Sequence, residues 1–113
     1  MANDFTTKNS CGVQAQYYWK KKAKFPHPVG IVIGSGVTLG MNCKIYQNVT
    51  LGGKGDGEEQ PVLGDNVTIY ANAVIAGGVI IGDNAVVGAN SLVLADVPAN
   101  ETVAGIPAKV LSK

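Results

Sequence analysis

Residues 81–97 read IGDNAVVGANSLVLADV, and a six-residue period runs through them. A large aliphatic opens each unit (Ile81, Val87, Val93), and glycine follows it twice (Gly82, Gly88). Asparagine or aspartate stands fourth (Asn84, Asn90, Asp96), and a small or β-branched residue fifth (Ala85, Ser91, Val97). Followed back towards the N-terminus in steps of six, the first position reads Ile75, Ile69, Leu63, Gly57, Leu51, Ile45, Leu39 and Ile33, so ten of eleven units carry a large aliphatic. Fourth positions read Gly36, Asn42, Asn48, Lys54, Asn66, Asn72 and Gly78 before the quoted stretch. Asn, Asp and Gly tolerate a left-handed backbone, so one such residue per unit predicts a sharp corner every six residues. A period of six cannot keep one face of a helix with about 3.6 residues per turn apolar. It suits a short strand followed by a corner. Three such sides close a triangular coil of 18 residues, whose stacked strands pair in parallel around an aliphatic interior.

The break in the series locates a loop. Residues 53–60, GKGDGEEQ, hold no apolar side chain, yet Leu51 and Leu63 are two units apart, so the phase recovers. This reads as a loop extruded from one corner, the kind of segment that carries function on a rigid scaffold. The expected organisation is a non-repeat segment over 1–28, a β-helix over 29–98 with the loop at 53–60, and a C-terminal cap over 99–113, where Pro98 and Pro107 interrupt the pattern. Tyr17, Tyr18 and Trp19 are expected to cap the first coil or to pack against a neighbouring chain, with Lys20, Lys21, Lys22 and Lys24 forming a solvated face.

Composition narrows the function. The 113 residues carry nine lysines, no arginine and eight acidic groups, a net charge of +1. That balance gives no electrostatic reason to expect nucleic acid or an anionic membrane as partner. No apolar run approaches the ~20 residues of a membrane span. Residues 1–10 lack the apolar core of a secretory signal, so Cys11 and Cys43 read as free thiols in a reducing cytoplasm. A single histidine excludes a zinc site built on three, and no metal is expected. One thin prism has little core for its surface, which favours an oligomer.

The segments HPVGIVIG (27–34), IYQNVTLGGKG (45–55), QPVLGDNV (60–67), VVGANSLVL (86–94), DVPAN (96–100) and AGIPAKV (104–110) resemble the serine acetyltransferase-like branch of the hexapeptide-repeat acyltransferases. The resemblance implies an all-β, left-handed parallel β-helix; the handedness comes from it alone, since the general rule for parallel crossovers gives the opposite hand. It implies a homotrimer that moves an acetyl group from acetyl-CoA to a hydroxyl in a cleft between subunits. The family's catalytic histidine falls on His27, as general base: a neutral imidazole takes the proton of an alcohol that is otherwise a poor nucleophile near neutral pH. Positions that line the pantetheine arm fall on Gly52, Gly53, Ala71 and Ala89, and a basic position near the CoA phosphates on Lys109.

Three departures accompany the resemblance. The family's upstream acid that pairs with the histidine falls on Gly12. The residue directly before the histidine is Pro26 instead of an acid. The Arg-His pair that grips serine is replaced by Glu59 and Gln60, the expected acceptor-binding positions. Orientation of His27 is left to a carbonyl, to Asp4, or to Asp56, Glu58 or Glu59 of a neighbour. An acid in place of arginine removes the natural partner of a carboxylate, so a sugar hydroxyl or an amino sugar is expected to suit the site better than free serine. The alternative is a non-catalytic trimeric β-helix that binds CoA or another ligand without turnover.

Overall fold

The computed structural model describes residues 10–11, 15–53 and 59–111, with side chains from residue 17 onward. Strands of two to four residues follow one another around a three-sided prism. Face one holds β1 (Ser10–Cys11), β2 (Val32–Ile33), β5 (Thr50–Gly52), β8 (Val74–Ala76) and β11 (Leu92–Val93). Face two holds β3 (Thr38–Leu39), β6 (Val62–Leu63) and β9 (Ile80–Ile81). Face three holds β4 (Lys44–Ile45), β7 (Thr68–Ile69), β10 (Val86–Val87), β12 (Thr102–Gly105) and β13 (Ala108–Val110). Every pairing is parallel except that of β12 with β13, which turns back and covers the open edge of face three. The backbone of β12 is thereby paired on both sides, and the short β13 becomes the outer edge of face three.

The periodicity maps onto the interior residue by residue. All ten aliphatics of the first position are at most 2% exposed, and so fill the core. The fifth-position residues Val37, Cys43, Val49, Val67, Ala73, Val79, Ala85, Ser91 and Val97 are buried with them. Ser91 is the polar one, and its Oγ accepts a hydrogen bond from Gly105 N at 3.2 Å, which offsets the cost of its burial. Parallel register places like on like: Ile33 beside Leu51, Leu51 beside Ile75, and Ile75 beside Val93.

Corners follow the fourth-position reading in part. Asn42, Asn48, Asn66, Asn72, Asn84 and Asn90 all take the left-handed conformation, with φ between 59° and 65°. Gly36, Gly78 and Asp96 do not, and at the Gly78 corner the positive φ falls on Gly77 instead. Those two glycines serve space rather than torsion. A Cβ on Gly36 would lie 2.7 Å from Gln60 Cγ, and one on Gly78 would lie 2.6 Å from Glu59 Cβ. Where face two turns into face three, glycine lets successive coils nest. A Cβ on Gly40 would lie 2.4 Å from the backbone of Gly64, and one on Gly82 would lie 2.4 Å from Ala99 N.

A helix that the repeat does not foretell precedes the prism: α1, Ala15–Lys20. Ala23 N donates to Tyr18 O at 3.0 Å and Lys22 takes φ 56°, which closes the helix end. Tyr18 is buried edge-on against Phe25, and the Tyr17 hydroxyl accepts from Leu39 N at 3.1 Å. These two tyrosines close the first coil, whereas Trp19 is 75% exposed and takes no part in the cap. Cys43 is a buried free thiol, its Sγ 3.2 Å from Gly64 O; burial pushes its pKa up, with Asp65 and Asp83 adding to the effect. Of Cys11 only the backbone is described.

Candidate functional site

Eight residues separate Lys24 from Val32, where six separate their bridge and strand partners Lys44 and Thr50. The two extra residues leave the corner between faces three and one as an outward bulge, and His27 sits on it. Residues 26–30 are all exposed. Pro26 and Pro28 fix their own φ on either side of His27, where the chain bends. Val29 N donates to His27 O at 2.8 Å, and Gly30 turns the chain inward with φ 70°. Only glycine fits there, because Asn48 Oδ1 occupies the space of a side chain.

The hydrogen bonds mark the column at this corner: Asn48 N donates to Val29 O, so Val29, Gln47, Ala71 and Ala89 stand one below another in successive coils. His27 lies on the bulge two residues before Val29, at the same corner as Ala71 and Ala89 but beside their column. The column has carbonyls already spoken for, since Asn72 N donates to Gln47 O and Asn90 N donates to Ala71 O. The Gln47 side-chain oxygen is buried and accepts no hydrogen bond among the described residues. Such an oxygen is an acceptor in want of an N–H donor.

Gly52, Gly53, Glu59 and Gln60 lie at a different corner, between faces one and two, where the loop leaves and re-enters the coil. The width of face one separates them from His27. Gly52 is open: nothing lies within 4 Å of where its Cβ would be. Gln60 folds back onto the prism. Cβ atoms placed on Gly34, Gly36 and Gly53 would meet its side chain at 2.6, 2.7 and 2.5 Å, so these glycines form its bed. Its Oε1 is buried and likewise lacks a partner among the described residues. Glu59 is exposed, with its stem on Gly78. Lys109 is exposed on β13, opposite Ala104, at the far edge of face three. From the row of Lys24 to β13 is five strand steps, roughly 24 Å at the usual ~4.8 Å spacing.

Two residues at the site have no counterpart in the sequence reading. Tyr46 and Tyr70 occupy the second position of their units on face three and stack at 4.9 Å between centroids, 28° apart. The His27 ring lies 6.3 Å from that of Tyr46, tilted by 42°. The signal lay in the repeat: second positions are mostly glycine, and these two depart from it in strands that the register makes neighbours. Among the described residues the His27 imidazole makes no hydrogen bond, and Asp4, Asp56 and Glu58 lie outside them. No group of three His, Cys, Asp or Glu among the described residues is placed to hold a metal ion. No helix there is long and apolar enough to cross a membrane.

Comparison with known proteins follows the same lines. The bacterial transferase hexapeptide (six repeats) family matches residues 60–95. A serine acetyltransferase of Staphylococcus aureus is 45% identical over 95 residues, covering 82% of this chain and 45% of the relative. The structure of a Neisseria gonorrhoeae serine acetyltransferase in complex with serine superposes with a TM-score of 0.74 at 39% identity, over 93% of this chain and 40% of that one. A serine acetyltransferase in complex with CoA gives a TM-score of 0.75 at 40% identity, over 79% of this chain and 37% of that one. The chain therefore spans less than half the length of these relatives. Fold and repeat together define a left-handed parallel β-helix of the hexapeptide-repeat class. Within that class the chain belongs to the serine acetyltransferase-like branch.

Proposed function

We propose that the protein transfers an acetyl group from acetyl-CoA to the hydroxyl of a small acceptor, with His27 as general base. The observation that carries this reading is one corner of the prism, where an exposed histidine on a bulge between two prolines stands beside a column that later coils continue with the small residues Ala71 and Ala89. The acceptor hydroxyl oxygen attacks the thioester carbonyl while the imidazole takes its proton. The carbonyl oxygen becomes a tetrahedral oxyanion that backbone N–H groups stabilise. Collapse breaks the carbon–sulfur bond, the imidazolium returns its proton to the CoA sulfur, and an acetyl ester and a free thiol leave. The pantetheine arm runs along the small residues, with Gly52 and Gly53 supplying backbone on the facing wall and Lys109 the charge near the phosphates.

This assignment requires more than one chain, because His27 and Ala71 stand at one corner and Gly52, Gly53, Glu59 and Gln60 at another. A homotrimer, in which each cleft takes its two walls from neighbouring subunits, reconciles them. The outward column of face one supports it: Val32, Val74 and Leu92, with Thr50 between the first two in register, form a largely apolar strip that water does not favour.

For the acceptor, Glu59 sets the terms. A carboxylate at the loop repels the carboxylate of free serine and accepts hydrogen bonds from neutral hydroxyls or a sugar amine. Serine is the second reading, favoured by the serine acetyltransferases among the relatives. Thiol release from acetyl-CoA, measured with serine, homoserine and a panel of mono- and disaccharides, separates the two. Release with a sugar and little with serine supports the first. Efficient release with serine supports the second. CoA binding with no release for any acceptor points to a β-helix that binds without turnover.

A further inference from the structure

We propose that Tyr46, backed by Tyr70, is the positioning residue of the His27 imidazole. The inference rests on the general-base reading of His27. The backbone of His27 is already fixed, by prolines on both sides and by the 2.8 Å bond from Val29 N to His27 O. What remains free are the two side-chain torsions, on a residue exposed at a bulge. No hydrogen bond among the described residues restrains them. The group that the ring meets is Tyr46, at 6.3 Å between centroids and 42° of tilt, within the range of aromatic pairing.

Tyr46 is itself well held. Its N–H donates to Ile69 O at 3.0 Å and its ring stacks on Tyr70, whose own N–H donates to Val87 O at 2.9 Å. Three rings therefore stand in sequence across successive coils, with the histidine at the end nearest the bulge. A ring that limits the imidazole to one orientation raises the share of molecules in which the basic nitrogen faces the acceptor. A base left to sample its rotamers loses part of the benefit of orientation. Removing the ring therefore lowers kcat and leaves the KM for acetyl-CoA near the parental value, whereas loss of a cofactor contact does the reverse.

His27 is the chain's one histidine, so its imidazole signals in a labelled full-length protein are assigned without ambiguity. The experiment compares parent, Tyr46→Phe, Tyr46→Leu, Tyr46→Met, Tyr70→Leu and His27→Ala by NMR and by steady-state acetyl transfer. The two aliphatic variants at residue 46 guard against one failing to fold, with backbone spectra as the check. Both are expected to move the imidazole resonances towards those of a free histidine and to lower kcat by about tenfold. Tyr46→Phe keeps the ring and is expected to recover most of that loss, while Tyr70→Leu falls between. Parental imidazole signals and parental kcat in folded Tyr46→Leu, with His27→Ala inactive, overturn the positioning role alone. Full turnover in His27→Ala overturns the general-base reading and this role with it.

Discussion

Replacing Gly52 by alanine separates stability from ligand binding at one residue, and Gly40 provides the contrast. Gly52 sits in β5 with negative φ, and nothing lies within 4 Å of the position its Cβ would take. Gly40 has the same place in its six-residue unit, but a Cβ there would lie 2.4 Å from both the carbonyl carbon and the oxygen of Gly64. Those atoms are backbone of the next coil and cannot rotate aside. Gly40→Ala is therefore expected to cost at least ~1–3 kcal/mol, the range for forcing a methyl into a packed site. Gly52→Ala, at a compatible backbone, is expected to be neutral or to gain up to ~1 kcal/mol by restricting the unfolded chain. If the pantetheine arm lies against the Gly52 backbone, the methyl stands between them and loosens one close contact. A single hydrogen bond of that kind contributes ~0.5–1.5 kcal/mol, or about a two- to tenfold rise in the dissociation constant for CoA. Urea unfolding at fixed protein concentration reads the first quantity, and titration calorimetry with CoA the second. Parental CoA affinity in Gly52→Ala removes Gly52 from the cofactor wall. A loss of stability equal to that of Gly40→Ala refutes the steric reasoning behind the comparison.

Other outcomes follow from the same geometry. Asn66, at φ 59°, is expected to lose ~1–2 kcal/mol on replacement by alanine and little on replacement by glycine, read as the shift in urea midpoint. Ile69, fully buried in the middle coil, is expected to cost ~2–5 kcal/mol as Ile69→Ala, read in the same way. The Cys43 thiol is expected to resist a water-soluble thiol reagent in the native protein and to react once urea unfolds it. Because burial raises its folded pKa, the unfolded chain gives up the proton first as pH rises. Native stability should therefore be intact below the ordinary thiol range and decline above it, and Cys43→Ala should flatten that part of the profile.

How much the sequence revealed depends on which residues repeat. The aliphatics from Ile33 to Val93 and the small residues beneath them gave the interior directly, because a side chain that must point inward every six residues leaves one arrangement. Asn42 through Asn90 gave the corners, since left-handed torsions restrict the residue type. Gly36 and Gly78 misled at the same position, because a glycine kept for space looks like one kept for torsion. Gln60 lying on Gly36 and Glu59 lying on Gly78 explain them only once the loop is folded back. His27 was found through resemblance to a family, and its exposure follows from two extra residues that no period announces. Tyr46 and Tyr70 were missed because their pairing is set by register: the loop displaces them in sequence by more than one coil, while the fold stacks them.

The most direct test of the account measures His27→Ala twice, for turnover with the best acceptor and for CoA affinity. The account predicts turnover lowered by a factor on the order of a hundred or more, as for loss of a general base, with CoA affinity within about twofold of the parent. Turnover close to the parental rate, with the protein folded and CoA bound, would contradict it.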